Sequence, residues 1–314
     1  MIQLRGATVA AALLVDALLG ELPEATHPTV LMGRFVSALE RRALVLKDGR
    51  QSRLAGLLLT VTLPALSFTL AHLALRLAPP RFRQPIEVGL LSTALSMRGL
   101  GRAALAVERE LERGDLLVAR VRVGELVGRD TAHLPPSEVA RAAVESVAEN
   151  VSDGVVAPML YGLLWGAPGA LAYKAVNTLD SMIGHPRPPY KDLGWASARL
   201  DDLANLLPAR LTVLLAAAVS RRFLATLTTA RRYGPLTTSP NAGWAEAAFA
   251  GALGLKLGGA NSYSNVLRQG PILGSGCLPQ AADIGRAVRI MRRVCILFAS
   301  LALATTLTEG RFGG

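Results

Sequence analysis

Long apolar runs alternate with charged segments along this chain of 314 residues. The clearest run extends from Leu54 to Leu77, with Pro64 in its middle, and is long enough to cross a hydrocarbon core about 30 Å thick. A second run, Cys295–Leu307, follows a group of arginines that would anchor its start at the cytoplasmic surface. This pattern predicts helices that cross a bilayer.

Four further segments are apolar but interrupted by polar residues, glycine or proline. They are Ala7–Leu19, which we interpret as a retained first membrane segment, Val155–Val176, Leu203–Ser220 and Gly243–Gly259. The last three are typical of discontinuous or deeply buried helices that line a cavity. Because strand signals are scarce, we predict an all-α fold, a polytopic membrane helical bundle with about four to six spans.

Between Arg98 and Pro136 the chain is charged, with apolar residues at helical spacing. Asp115 is predicted to cap one helix, and Ser137 is predicted to cap another that begins at Glu138. We therefore expect a single membrane-embedded domain over residues 1–314, with a soluble helical insert at 98–153 inside it.

Composition supports a membrane location. Hydrophobic residues make up 51% of the chain, and the net charge is +11, carried mostly by arginines beside apolar runs. Juxtamembrane anchoring explains this charge better than nucleic-acid binding, because aromatic residues are only 5% of the chain. The two cysteines show neither metal-site spacing nor a disulfide framework. We predict a multi-pass inner-membrane protein with an active site that faces the cytoplasm, although basic residues on both sides of Leu54–Leu77 leave its orientation open.

The first polar motif lies in the stretch 127–153. Arg141, Glu145, Glu149 and Asp153 recur every four residues, so they share one face of a helix. Salt bridges on an exposed helix would give the same pattern. Because this helix leads into an apolar segment, we favour a site in which the carboxylates bind a cation or an amine.

The second motif, at 173–184, follows that apolar segment. Lys174, Asn177 and Ser181 share a helical face, and Asp180 lies beside them. An ionisable residue within a membrane is a candidate for function unless it is paired or solvated. A structural Lys174–Asp180 pair, or a lysine that extends to the interface, is the alternative.

The third motif, at 197–210, contains Asp201, Asp202 and Asn205. Oxygen ligands with this spacing on a helix can hold Mg²⁺, which would bridge phosphate oxygens. Arg199 and Arg210 flank them with planar donors suited to phosphate.

These motifs together resemble the adenosylcobinamide-phosphate synthase family, integral membrane enzymes of cobalamin biosynthesis. The matching strings occur in family order over most of the chain: HPTVLMG (27–33), VGRDT (127–131), VESVAENVSDGVVAPMLY (144–161), YKAVNTLDSMIG (173–184), SARLDDLANLLPARLT (197–212) and SPNAGWAEAAFAGALGLKLGGANSY (239–263). The proline-rich segment 184–194 is a modest departure.

The resemblance implies ATP-dependent amide formation between a carboxylate of adenosylcobyric acid and an aminoalcohol, which is aminopropanol or its phosphate. It implies Mg²⁺ and ATP as co-substrates, a corrinoid and an aminoalcohol phosphate as partners, and the lipid bilayer as environment. The residue roles are our own inference. We predict catalytic roles for Glu145, Glu149, Lys174 and Asp180; substrate or phosphate binding by Arg129, Asp130, Asn150, Asn177, Arg199 and Arg210; and metal binding by Asp153, Asp201, Asp202 and Asn205.

Two other functions fit part of the pattern. Broken helices with Lys174 and Asn205 inside them would suit a membrane transporter of corrinoids, although no paired repeat is visible. A Mg²⁺-dependent membrane transferase would need two Asp-rich motifs, and only Asp201-Asp202 qualifies clearly. A scaffold without enzymatic activity would not need so many polar groups in apolar surroundings.

Overall fold

The computed structural model describes residues 5–20, 23, 25, 27–45, 48–263 and 265–312, with residues 307–312 described as backbone only. The helices are α1 (Gly6–Leu19), α2 (Pro28–Ala43), α3 (Gly49–Leu77), α4 (Pro80–Ser92), α5 (Met97–Glu112), α6 (Leu116–Gly124), α7 (Pro136–Val151), α8 (Ala157–Ile183), α9 (Tyr190–Leu193), α10 (Trp195–Ala204), α11 (Leu206–Val219), α12 (Phe223–Tyr233), α13 (Ala242–Leu253) and α14 (Ala281–Phe312). A π-helical turn at Ser152–Val156 connects α7 to α8, and a 3-10 turn at Gly234–Leu236 follows α12.

Two helical segments of the described chain are long and apolar enough to cross a membrane. They are α3 and the run Pro136–Ile183, and α10 with α11, bent by 41°, gives a third if the pair forms one span. On α3, Leu58 and Leu70 are 56% and 58% exposed, as is normal for side chains that face lipid. The all-α membrane class is confirmed; two or three segments of the described residues have the length and composition of a span, and the total of four to six stays a prediction.

The remaining apolar runs have different outcomes. The first run forms α1, an apolar helix of only 14 residues. The run Cys295–Leu307 lies within α14, but its end extends past the described side chains, so this span stays a prediction. The run Gly243–Gly259 is not one helix, because α13 ends at Leu253 and a strand begins at Leu257.

Local signals for the helix ends were partly correct. Asp115 caps α6 as predicted, because its carboxylate accepts a hydrogen bond of 3.0 Å from the backbone N–H of Val118. The prediction for α7 was wrong, since the helix begins at Pro136 and Ser137 lies inside it. Proline suits the first helical position because its fixed φ fits the helix and its missing N–H is not needed there.

The chain divides into two compact units. The first unit contains Met1–Ser96, Ala157–Asn205 and Ala299–Gly314, and the second contains Met97–Val156 and Leu206–Phe298. The predicted insert 98–153 lies within the second unit. The prediction of a single embedded domain stays a prediction.

An antiparallel hairpin in the second unit was not predicted. Strand β1 (Leu257–Tyr263) pairs with β2 (Val266–Leu273), and an irregularity between Gly258 and Ala260 shifts the register. Gly258 and Gly259 have φ of +71° and +97°, in the left-handed region that favours glycine. These glycines therefore shape a bulged strand, whereas their sequence also fits the close packing of helices.

Helix α7 is buried on almost every side. Its valines and alanines from Val139 to Val151 are fully buried, and the side chains of Arg141 and Glu145 are buried with them. Arg141 and Glu145, two charges of the four-residue repeat, are therefore not on the surface of an exposed helix, and each buried charge needs a partner.

Candidate functional site

Five side chains form a network between α7 and the hairpin in the second unit. We call Arg129, Glu138, Arg141, Glu145 and Asn261 the α7–hairpin cluster. Glu145 lies at its centre and accepts three hydrogen bonds: 2.6 Å from Nη2 of Arg129, 2.9 Å from Nη1 of Arg141, and 2.7 Å from the backbone N–H of Gly258. These charge-assisted hydrogen bonds fix the position of the carboxylate.

Every nitrogen of the Arg141 guanidinium has an acceptor. Nε donates to Glu138 at 2.8 Å, Nη1 donates to Glu145, and Nη2 donates to the backbone carbonyl of Ala260 at 3.0 Å and to Oδ1 of Asn261 at 2.9 Å. Arg141 therefore joins α7 to β1. It acts as a frame for the site.

Arg129 is the other buried guanidinium of this cluster, and it has a donor to spare. Its Nη1 donates to Oδ1 of Asn261 and its Nη2 to Glu145. Its Nε is buried and, among the residues described, has no hydrogen-bond partner. Burial of an unsatisfied donor is unfavourable, so a ligand oxygen that accepts a hydrogen bond from this N–H would be stabilising.

Asp130 holds the turn of the hairpin. One carboxylate oxygen, Oδ2, accepts hydrogen bonds from the hydroxyl of Ser262 at 2.7 Å and from the backbone N–H of Asn265 at 2.8 Å. Asn265 has a positive φ of 62°, and the bond from Asp130 stabilises that conformation. The position of Asp130, predicted to bind substrate, is therefore that of an anchor for the hairpin.

Glu246 on α13 lies against this cluster and was not predicted. Helix α13 packs on α7, and the Glu246 carboxyl interacts electrostatically with Glu145, Glu149, Arg129 and Arg141. Its pKa is raised well above the ordinary value, first because burial disfavours the charged form and second because Glu145 and Glu149 repel it. The two arginines act in the opposite direction without cancelling these effects. Glu149 itself is exposed.

The other predicted residues of the second unit lie apart from these contacts or support helix packing. Asn150 donates to the backbone carbonyl of Ser146 at 2.9 Å, and Asp153 is half-buried in the π-helical turn. Arg210 donates to Oδ1 of Asn241 at 2.6 Å and lies 4.7 Å above the ring of Trp244. Arg210 thus connects α11 to α13 through a stacked, hydrogen-bonded guanidinium.

A second group of polar side chains lies within the first unit. We call Tyr161, Tyr173, Asn177, Asp180, Asp201 and Asn205 the α8–α10 cluster. The hydroxyl of Tyr173 donates to Oδ1 of Asn205 at 2.8 Å, and Nδ2 of Asn205 donates to Oδ2 of Asp201 at 3.0 Å. Asn177 and Asp180 also lie close to Asp201. This chain of bonds is anchored by a fully buried asparagine.

The two tyrosines of this cluster stack on each other. Their ring centroids are 5.0 Å apart, and the Tyr161 hydroxyl donates to the backbone carbonyl of Ala204 at 2.9 Å. The other oxygen of Asp201, Oδ1, is buried and has no hydrogen-bond partner in the described chain. Aromatic walls around an unsatisfied carboxylate oxygen are suited to a bound cation or a donor group of a ligand.

Three predicted residues border this cluster. Arg199 and Asp202 form an exposed pair at 3.5 Å, three residues apart on α10. Lys174 is half-buried on α8, in the same helix as Asn177 and Asp180. The structure thus brings together Asn177, Asp180, Asp201 and Asn205 in the first unit, and Arg129, Glu145 and Glu149 around Glu246 in the second.

A resident metal site is not formed by the described residues alone. No group of three or more His, Cys, Asp or Glu side chains among them could hold a metal ion. Mg²⁺ commonly binds through one or two carboxylates together with the phosphates of a substrate. The unsatisfied oxygen of Asp201, with Asp202 next to it, fits that second mode.

Sequence reasoning could have found Glu246. Its helix, AGWAEAAFAGAL, is rich in glycine and alanine, and Glu246 is the one ionisable residue in it. A lone carboxyl in an apolar segment is a signal for function, because burial of an unpaired charge is unfavourable. Tyr173 carries no comparable signal, since an aromatic residue in an apolar helix is expected in any core.

Comparison with known proteins identifies relatives over nearly the whole chain. The family described as "CobD/Cbib protein" matches residues 9–291. The chain is 44% identical to cobalamin biosynthesis protein CobD of Chromobacterium violaceum, over 95% of this chain and 96% of that protein. It is 42% identical to the CobD protein of Klebsiella pneumoniae, over 93% of each, and 38% identical to cobalamin biosynthesis protein CbiB of Salmonella typhi, over 92% of this chain and 94% of that one. No solved structure matches the chain.

Proposed function

Since the chain belongs to the CobD/Cbib protein family and thereby has a role in cobalamin biosynthesis, we propose that it catalyses ATP-dependent amide-bond formation. In the proposed reaction a carboxylate of adenosylcobyric acid is joined to aminopropanol or its phosphate. The product is adenosylcobinamide or its phosphate. The family match over nearly the full chain is the observation that carries this proposal.

The chemistry requires activation of the carboxylate. A carboxylate does not react with an amine unaided, and transfer of the γ-phosphoryl group of ATP would convert it to an acyl phosphate. The α8–α10 cluster and the residues that border it have the groups to bind Mg·ATP: the carboxylates of Asp201 and Asp202 for the ion, and Lys174 and Arg199 for phosphate charge. Mg²⁺ would neutralise phosphate charge when bound.

The α7–hairpin cluster has the groups to bind the amine. Glu149 is exposed beside the network, while Glu145 is held by three donors and positions the residues around it. Arg129 could take an oxygen of the aminoalcohol or its phosphate through its spare Nε. We place the enzyme in the inner membrane with this chemistry on the cytoplasmic side, where ATP is available.

The test is a reconstituted assay. The protein, purified in lipid nanodiscs, is given adenosylcobyric acid, aminopropanol phosphate and Mg·ATP, and the corrinoid product is identified by mass. We expect the amide, and we expect none when any one component is omitted. Unchanged corrinoid under complete conditions would refute the proposal, and corrinoid uptake into sealed vesicles without amide would favour a transporter.

Asp202→Ala tests the nucleotide site, with Asp192→Ala as its matched control. Both carboxylates form a pair with an arginine near the protein surface, Asp202 with Arg199 and Asp192 with Arg53. Loss of turnover in the first variant, with normal folding and normal turnover in the second, supports the assignment. Equal turnover in both would remove it.

A further inference from the structure

The α7–hairpin cluster separates groups that are fully engaged from groups that are not. Glu145 accepts three hydrogen bonds and every nitrogen of Arg141 donates to an acceptor, so both side chains are held in place by several partners. Glu246 is different. In the described part of the chain no group donates a hydrogen bond to its carboxyl, although it is half-buried beside α7.

The charge around Glu246 is unbalanced. With Glu246, the cluster contains three carboxylates and two guanidiniums, and Glu149 lies beside it. The charged groups nearest Glu246 are Glu145, Glu149 and Arg141 on α7 and Arg129 in the preceding segment. A ligand with a positive charge would restore the balance.

Other elements packed on α13 direct their charged groups to its ends. Arg210 of α11 lies over Trp244, in the first turn of α13. The guanidinium of Arg222, just before α12, lies beside Gly254, and Arg286 of α14 donates to the carbonyl of Leu253. The hairpin contributes the backbone N–H of Gly258, which is bound to Glu145. These groups have their partners away from the carboxyl of Glu246.

An independent observation at Arg129 indicates a second chemical group on the ligand. Arg129, which is only 8% exposed, keeps a buried Nε–H with no acceptor in the described residues, next to the same Glu145. A ligand that satisfies both features carries a cation at one end and an acceptor oxygen at the other. An aminoalcohol, with or without a phosphate on its oxygen, has this chemistry.

We propose that Glu246, with Glu149 beside it, binds the ammonium group of the aminoalcohol and takes its proton, while Nε of Arg129 donates to the substrate's oxygen. The proposal rests on the proposed function and names the residues that bind its amine substrate. It assigns the role of base to Glu246, whereas the sequence predicted catalytic roles for Glu145 and Glu149. The raised pKa of Glu246 suits such a base, because a carboxyl that titrates closer to neutral pH accepts a proton more readily.

The proton balance of the step is complete. Glu246 takes one proton from the ammonium, which frees the nitrogen lone pair to attack the carbonyl carbon of the acyl phosphate. The C–N bond forms, and the C–O bond to phosphate breaks with its electron pair leaving on the phosphate. The second nitrogen proton leaves with the phosphate, and the amide remains.

The test compares Glu246→Gln, Glu246→Asp and a matched control, Glu108→Gln, in nanodiscs. Glu108 is a half-buried carboxyl of the same unit whose pKa is also raised, mainly by burial, and it accepts from the backbone N–H of Gly285. We expect Glu246→Gln to lower kcat/KM by about 100-fold or more and to remove the rise of kcat/KM with pH. Glu246→Asp should restore part of the rate with a shifted pH profile, and Glu108→Gln should behave as wild type.

Binding of the aminoalcohol gives a readout that does not depend on turnover. Calorimetric titration with aminopropanol phosphate should detect binding to the wild type, and the affinity should be at least about tenfold lower in Glu246→Gln. Propylamine, which lacks the oxygen, should bind to the wild type more weakly than aminopropanol does. A wild-type rate and pH profile in Glu246→Gln, or equal binding to it, would overturn the proposal. If only the assay for amide formation fails, the proposed function is wrong, and the binding result still decides for or against this site. If Glu246→Gln does not fold, an unshifted pH profile in Glu246→Asp overturns the proposal.

Discussion

The two polar clusters of this protein use different chemistry to satisfy buried groups. The α7–hairpin cluster is a network of full charges, in which Arg141 and Glu145 are each bonded to several partners. The α8–α10 cluster relies on neutral groups, since Tyr173 and Asn205 connect to the carboxylate of Asp201 without an ion pair. The ion pair between Arg199 and Asp202, which lies beside this cluster, is exposed.

This difference indicates which group of each cluster is open to bind a ligand. In a network of full charges, most donors and acceptors are used to offset burial, and what stays open is a carboxyl whose charged form is disfavoured, here Glu246. In a network of neutral groups, a single oxygen such as Oδ1 of Asp201 stays open. We therefore expect the first cluster to be rigid and sensitive to charge removal, and the second to tolerate it better.

The largest effect should follow from Arg141→Ala. This change leaves Glu138 and Glu145 with buried negative charge, and we expect a loss of about 3–5 kcal/mol in the free energy of unfolding. Arg199→Ala, which breaks an exposed pair, should cost about 0–1 kcal/mol. Urea unfolding in detergent measures both, and similar losses for the two variants would contradict the contrast between the clusters.

Tyr173→Phe tests the contrast between the two clusters in the α8–α10 cluster. It removes the hydroxyl bonded to Oδ1 of Asn205 and leaves a buried amide oxygen without a donor, so we expect a loss of about 1–3 kcal/mol. Tyr161→Phe is the matched variant, because its hydroxyl donates to a backbone carbonyl at a half-buried position. The same unfolding experiment should show the smaller loss for Tyr161→Phe, and the reverse order would show that Asn205 is not the centre of its cluster.

Glu246→Gln should change how stability depends on pH. Because the folded-state pKa of Glu246 is raised, the contribution of this carboxyl to stability is fully present below the unfolded-state pKa of a glutamate and is lost as pH rises through the raised pKa. Glutamine does not titrate, so between those two pKa values the variant should gain about 1.4 kcal/mol per pH unit relative to the wild type. Thermal unfolding midpoints measured over a pH series test this. A constant difference between the two proteins would show that Glu246 does not titrate as described.

A local effect is expected from Asp130→Ala. The two hydrogen bonds from Asp130 hold the turn of the hairpin at the protein surface, so their loss should cost about 1–2 kcal/mol locally. Hydrogen exchange should become faster in residues 257–273 and stay unchanged in α5. Unchanged exchange in the hairpin would show that Arg141 and Glu145 alone hold it in place.

The sequence predicted the helical elements better than it predicted the partners of their side chains. The run of leucines ending at Leu77 and the cap at Asp115 are local signals, and both match the structure. The hairpin at 257–273 was missed because its glycines fit close helix packing equally well. Its position depends on Arg141 and Glu145, which lie more than a hundred residues earlier in the chain.

The polar motifs themselves were found, but their grouping was not. Spacing along α7 placed Arg141, Glu145 and Glu149 on one face, yet it could not show that Glu145 is saturated by donors from two other segments. Nor could it show that Glu246 faces the same network, since that proximity arises from the packing of α13 on α7. Long-range packing decides which of several similar carboxyls is left open.

The central claim is that ATP activates a carboxylate of the corrinoid for attack by the amine. The most direct measurement uses adenosylcobyric acid whose reacting carboxylate carries ¹⁸O, with unlabelled ATP and aminopropanol phosphate. If the carboxylate oxygen attacks the γ-phosphorus, the inorganic phosphate released with the amide contains one ¹⁸O atom from the corrinoid, detected by mass spectrometry. Amide formed with unlabelled phosphate would contradict activation at the carboxylate.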